Sequence, residues 1–194
     1  MRNLALLTAC AVLLAGCGGA PGLAGTTSSG TMATTQDPAL LRLSSPDFAD
    51  GAPMPRAYSC DANQQRQVSP PLNVTGVAPA TLSLALILQD ADMPVPEAPA
   101  STLTLWLVWN LTAPDGALRF PQGGLPHGAI ESEGYRGPCP APASAPHHYN
   151  FTVYALDVAV TLEPGSDREA LEAAMAGHVL ATARLVGTYA RQVV

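Results

Sequence analysis

Three long apolar runs, separated by proline- and glycine-rich connections, organise the middle of the chain. SLALILQD, residues 83–90, is apolar at almost every position until it meets acid, the pattern of a strand covered on both faces. TLTLWLVWNL, 102–111, is a second such run, with β-branched and aromatic residues. YNFTVYALDVAV, 149–160, alternates instead: Tyr149, Phe151, Val153 and Ala155 fall on one face, Asn150, Thr152 and Tyr154 on the other. PQGGLPHG (121–128) and GPCPAPASAP (137–146) read as connections. Near the end the period changes. Ser166 or Asp167 can cap a helix whose apolar face holds Leu171 and Met175. Gly177 is placed to interrupt it, and HVLATARLVGTY (178–189) is expected to continue that helix or begin a second. The pattern predicts a mainly β domain with helix at its C-terminal end.

The first forty residues follow neither period. MRNLALLTACAVLLAGCGG places Arg2 before an apolar stretch too short to span a membrane as a stable helix, as in a secretory signal. Leu14-Ala15-Gly16-Cys17 resembles the bacterial lipobox, in which cleavage falls before the cysteine and the thiol receives a diacylglycerol. Residues 1–16 are therefore expected to be a lipoprotein signal peptide, and Cys17 the lipidated anchor in the membrane. The Gly/Ser/Thr-rich stretch 17–39 is expected to be a flexible tether, and 40–194 the folded domain. The expected location is an extracytoplasmic face of the bacterial cell envelope.

Composition narrows the partners. Charge is sparse at 12%, there is no lysine, and the net charge is −6. Nucleic acid and anionic membrane surfaces both need a basic stripe, so neither is an expected partner. Nineteen prolines and seventeen glycines agree with a β-rich, turn-rich chain. With Cys10 lost in the signal and Cys17 lipidated, Cys60 and Cys139 remain. An isolated pair in an oxidising compartment tends to bridge; a metal site is the rival, and no CxxC partner supports it. No metal or cofactor is expected.

Candidate chemistry begins where the first run ends. Only 15 of 194 residues are acidic, yet Asp90 and Asp92 stand together there. At i and i+2 of an extended segment both carboxylates point the same way. They could join a cation site, act as an acid/base pair, orient a histidine or meet a cationic ligand group. They could equally cap backbone N–H groups in an Asx-turn. His147-His148-Tyr149 opens the third run, and imidazole and phenol can both donate to an anion. His127 and His178 carry less signal. No G-x-S-x-G, P-loop, dinucleotide fingerprint or HExxH motif occurs, and Ser44, Ser45 and Ser69 have no neighbouring base. The residues read as a binding domain before an enzyme.

SSPDFADGAPMPRAYSCDANQQRQVSPPLNVTGV (44–77), SLALILQDADMP (83–94), LWLVWNL (105–111), GYRGPCPAPASAPHHYNFTVYALD (134–157) and AMAGHVLATARLVGTYAR (174–191) occur in this order. Together, from about Leu41 to Arg191, they resemble the bacterial Raf-kinase-inhibitor-like branch of the phosphatidylethanolamine-binding protein family. The resemblance implies packed antiparallel β-sheets with peripheral and C-terminal helices. It also implies a small pocket for an anion such as phosphate or a phospholipid head group. The family's Asp-Pro-Asp-x-Pro wall falls on Asp90, Asp92 and Pro94, with Ala91 in place of the middle proline. Its Gly-Pro-Cys-Pro loop is intact from Gly137 and Pro138 to Pro140. Its His-Arg-Tyr segment falls on His147, His148 and Tyr149, with His148 replacing arginine. Its His-Trp segment falls on Leu105-Trp106, and leucine cannot donate to an anion. Losing one charge-assisted donor is expected to weaken anion binding by about 1.5–3 kcal/mol. The implied role of Asp90 is to accept from His147 or to meet a ligand ammonium, and a net-acidic pocket could prefer a cationic or neutral molecule. The resemblance also implies a Cys60–Cys139 disulfide beside the pocket. The expected function is a non-enzymatic envelope lipoprotein with a head-group or small-anion pocket. The alternative is an envelope protein-interaction or protease-inhibitor module whose pocket is vestigial.

Overall fold

The computed structural model describes residues 40–62, 67–95 and 98–191, with the side chains of 94–101 left aside. The expected signal, Cys17 and the expected tether lie outside the described residues. Ten elements follow in order: β1 (Arg42–Ser44), β2 (Ala52–Pro53), β3 (Leu72–Thr75), β4 (Ser83–Val95), β5 (Ala98–Leu111), β6 (Ala117–Phe120), β7 (Ile130–Glu131), β8 (His147–Leu156), α1 (Arg168–Met175) and β9 (Val179–Tyr189). A 3-10 turn spans Arg56–Tyr58. The strands form a three-stranded sheet, β1-β3-β6, and a six-stranded sheet, β2-β9-β8-β4-β5-β7. Neighbours are antiparallel except β2 and β9, which run parallel.

The apolar run of β4 explains the layering. Leu84 to Leu88 are wholly buried, and the pleat sends alternate side chains to opposite faces. Leu84, Leu86 and Leu88 pack with Leu72, Val74 and Phe120 of the small sheet. Ala85 and Ile87 pack with Leu107, Trp109, Leu171 and Met175, so α1 covers the other face. A central strand with a core on each side has no solvent face on which to place polar residues, hence its unbroken hydrophobicity. β8 alternates as its sequence does, with Tyr149, Phe151, Val153 and Ala155 buried and the residues between them partly exposed.

Three expectations need correction. Residues 179–189 are a strand, not helix, and α1 is the one α-helix among the described residues. Gly177, at φ +80°, ends the helical segment in a conformation that only glycine adopts without strain. Beyond it, pairing along β8 from Leu156↔Val179 to His147↔Tyr189 outweighs the helix preference of an Ala- and Leu-rich segment. The first run does not stop at Asp90; β4 continues to Val95 through register shifts against β5. The third run is strand only to Leu156.

The end of β9 is fastened by Asp61. Its carboxylate accepts from the Tyr189 hydroxyl at 2.8 Å and from Arg191 Nε at 3.0 Å. Those donors, the tyrosine first, hold its pKa below the ordinary 3.8. A carboxyl depressed in the folded state contributes stability above that value and loses it as pH falls through the folded pKa. The urea midpoint should therefore decline below about pH 4. Asp61→Asn should flatten that decline; the same acid slope in both proteins would contradict this.

Candidate functional site

β4 carries Asp90 to the end of its pairing with β8, where its register partners are Tyr149 of β8 and Leu103 of β5. Asp90 is only 3% exposed. A carboxylate so buried needs donors, and it has them: His147 Nδ1 lies 2.8 and 3.1 Å from its two oxygens, and the Asp92 backbone N–H donates at 3.0 Å. The Asx-turn and the histidine contact are thus both present in one residue. An ionised carboxylate only accepts, which assigns the Nδ1 proton to His147 and leaves Nε2 as the ring's second polar atom. One step along, Asp92 accepts from the His148 backbone N–H at 2.6 Å and from His148 Nδ1 at 2.9 Å. The His148 backbone N–H first, then its side chain, lower the Asp92 pKa. That second pair is open to water and the first is not.

Tyr149 completes the cluster. Its ring stacks on His147, with centroids 6.4 Å apart and planes inclined at 21°. It is wholly buried, and its hydroxyl has no hydrogen-bond partner among the described residues. The Asp90 carboxylate and the Cys139 backbone are its polar neighbours; burial first, then the Asp90 charge, push the phenol pKa up. Buried hydroxyls are nearly always satisfied, so an orphan beside a carboxylate and an imidazole needs a reason.

The wall beyond is the loop that includes Gly137 and Pro138. Cys139 is bonded to Cys60, with Cα atoms 5.3 Å apart, and the Cys60 N–H donates to the Pro138 carbonyl at 3.0 Å. Gly137 donates its N–H to Gln67 Oε1. A Cβ on Gly137 would overlap the Tyr58 carbonyl oxygen, so this close approach requires glycine. Tyr135 donates its hydroxyl to that same carbonyl at 2.8 Å.

Leu105 and Trp106 serve differently. Both are buried in the core on β5. Trp106 packs edge-on against Phe120 and Tyr135 and donates Nε1 to Glu131 at 2.7 Å. Both line a hollow with Arg136 and Arg168, to which Asp90, His147 and Tyr149 do not contribute. Pro94 lies in β4 opposite Thr102, and its side chain is outside the described residues. Sequence reading missed Gln67, Glu131 and Tyr135. Only Tyr135 had a usable signal, standing two residues before the Gly-Pro-Cys-Pro loop. Among the described residues no group of three or more His, Cys, Asp or Glu side chains is arranged to hold a metal.

Comparison with known proteins places the fold in a family. The family profile described as phosphatidylethanolamine-binding protein matches residues 44–190. A UPF0098 protein from Methanothermobacter thermautotrophicus is 39% identical over 160 residues, covering 78% of this chain and 99% of its own. A candidate lipoprotein of Mycobacterium tuberculosis, LppC, is 37% identical over 192 residues. That match covers 92% of this chain and 90% of LppC, a larger share than residues 44–190 alone can supply. Among solved structures, the phosphatidylethanolamine-binding protein homologue CT736 from Chlamydia trachomatis superposes with a TM-score of 0.69 at 36% identity, over 79% of this chain and 99% of its own. Escherichia coli YbcL, described as a new member of the mammalian family, gives 0.67 at 25% identity over the same shares. In fold and in sequence, this chain belongs to the phosphatidylethanolamine-binding protein family.

Proposed function

We propose that this is a lipid-anchored cell-envelope protein that binds, without turning over, a small anion or phospholipid head group at Asp90, His147 and Tyr149. The orphan Tyr149 hydroxyl supports this most strongly. It is a buried donor beside a histidine whose Nδ1 is already committed to Asp90, so a phosphate oxygen could take both the phenol proton and a proton on Nε2. Asp90 is not a phosphate ligand in this reading, because carboxylate and phosphate repel. It orients the imidazole, while Asp92, half exposed at the rim, can meet the ammonium of a zwitterionic head group. Leucine at position 105 supplies packing and no donor, so the ammonium contact matters more to overall affinity.

The likeness to LppC supports anchoring at Cys17. A protein held on a membrane meets head groups at high effective concentration, and weak intrinsic affinity suffices there.

The test is calorimetry on the full chain with phosphate, ethanolamine and phosphoethanolamine. Phosphoethanolamine should bind tighter than either fragment and be recovered unchanged. Tyr149→Phe should weaken it roughly tenfold, because it removes the phenol donor beside His147 and Asp90. Equal affinity in the phenylalanine variant, or a clear preference for free phosphate, would refute the assignment.

A further inference from the structure

A second hollow, of about 340 Å³, adjoins the first at Trp106, Glu133 and Gly134 and shares none of Asp90, His147 or Tyr149. Its walls include Ser69, Trp106, Gly124, Glu131, Glu133 and Tyr135. No arginine or histidine lines it. Glu131 is fixed from below, because Trp106 Nε1 donates to its Oε2 at 2.7 Å, which leaves Oε1 without a partner among the described residues. Glu133 stands at the rim, and its contact with Arg136 at 3.5 Å is exposed on both sides and easily exchanged.

Ser69 is the independent sign of a ligand. It is 3% exposed, and its hydroxyl, unlike those of the equally buried Ser59 and Ser83, makes no hydrogen bond among the described residues. Ser69 lines the hollow together with Glu131, Glu133, Trp106 and Tyr135, and its hydroxyl can accept from a donor that the protein does not provide. Gly123, at φ +65°, and Gly124 keep the opposite wall low; a Cβ at Gly123 would press on Val68.

We propose that this hollow binds an alkyl diamine. One ammonium would donate to Glu131 Oε1 and Ser69 Oγ at the floor, with the chain against the aromatic walls, and the second would reach Glu133 at the rim. A cation suits the site because every charge lining it is negative, and an extended one because the two carboxylates sit at different depths.

The chain has two tryptophans, which makes the test internal to one spectrum. Trp106 Nε1 bonds Glu131 at this site, whereas Trp109 Nε1 bonds the Leu162 carbonyl on the other face of the sheet. Titrating the full chain with 1,4-diaminobutane should shift the Trp106 indole N–H resonance saturably and leave that of Trp109 in place. 1-Aminobutane should bind more weakly. Glu131→Gln, which keeps an acceptor for the indole, should weaken binding roughly tenfold or more. Ser69→Ala should weaken it about threefold with no loss of melting temperature, since its hydroxyl supports no fold contact. A Trp106 resonance unmoved up to about 10 mM diamine would overturn the proposal. So would equal movement of both indoles, or variants that titrate like the parent. Asp90→Asn should leave this titration unchanged, so its outcome is separate from that of the head-group site.

Discussion

Alanine at Gly137 is expected to lower stability by about 3 kcal/mol, a fall of roughly 10 °C in melting temperature for a domain of this size. The added Cβ meets the Tyr58 carbonyl oxygen, a backbone atom that cannot swing aside as a side chain would. Nor can either loop retreat freely. Tyr58 is buried, its carbonyl is engaged by Tyr135, and two residues on from each contact the chains are joined by Cys60–Cys139. A thermal melt followed by circular dichroism reads the result directly. A shift under about 2 °C would show that the loop has slack the geometry does not suggest.

Removing the disulfide is the second large effect. Cys60 and Cys139 are 79 residues apart, so the bond closes a long loop of unfolded chain, and its loss should cost about 2–4 kcal/mol. Paired Cys60→Ser and Cys139→Ser substitutions should lower the melting temperature by roughly 10 °C without abolishing the fold, because neither cysteine is part of either core. The cost should also fall short of additivity with Gly137→Ala, since an unfastened loop can yield to the extra Cβ. Strict additivity would mean that the disulfide does not hold the loop against Tyr58. The same variant should loosen the wall beside Tyr149, so head-group affinity should fall with stability.

How much of this was legible beforehand differs by element. β4 and β8 could be read because burial dictates their residues directly. A strand between two cores must be apolar throughout, and one with a half-exposed face must alternate. β9 could not. Its alanines and leucines suit a helix locally, and it becomes a strand because β8 offers a full-length partner, a fact absent from any window of its own sequence. The candidate site was half visible. Two aspartates ending an apolar run raised the right question, but the partner of Asp90 lies 57 residues away, and only the β4–β8 register brings His147 to it. The orphan state of the Tyr149 hydroxyl was not visible at all, since an unmade hydrogen bond leaves no mark on a sequence. Leu105 shows the limit of carrying a motif across. The resemblance makes the position a pocket wall; in this chain Leu105 packs in the core and lines a hollow to which Asp90, His147 and Tyr149 do not contribute.

The most direct test is a residue-resolved NMR titration of the full chain with phosphoethanolamine. Saturable shifts at the Asp90, Cys139, His147 and Tyr149 amides, with Trp106 and Glu131 unmoved, are the predicted result and would establish the strand-end cluster as a working head-group site. Absence of any saturable shift there, or shifts confined to other residues, would contradict it and leave the Asp90–His147 pair as a structural clasp.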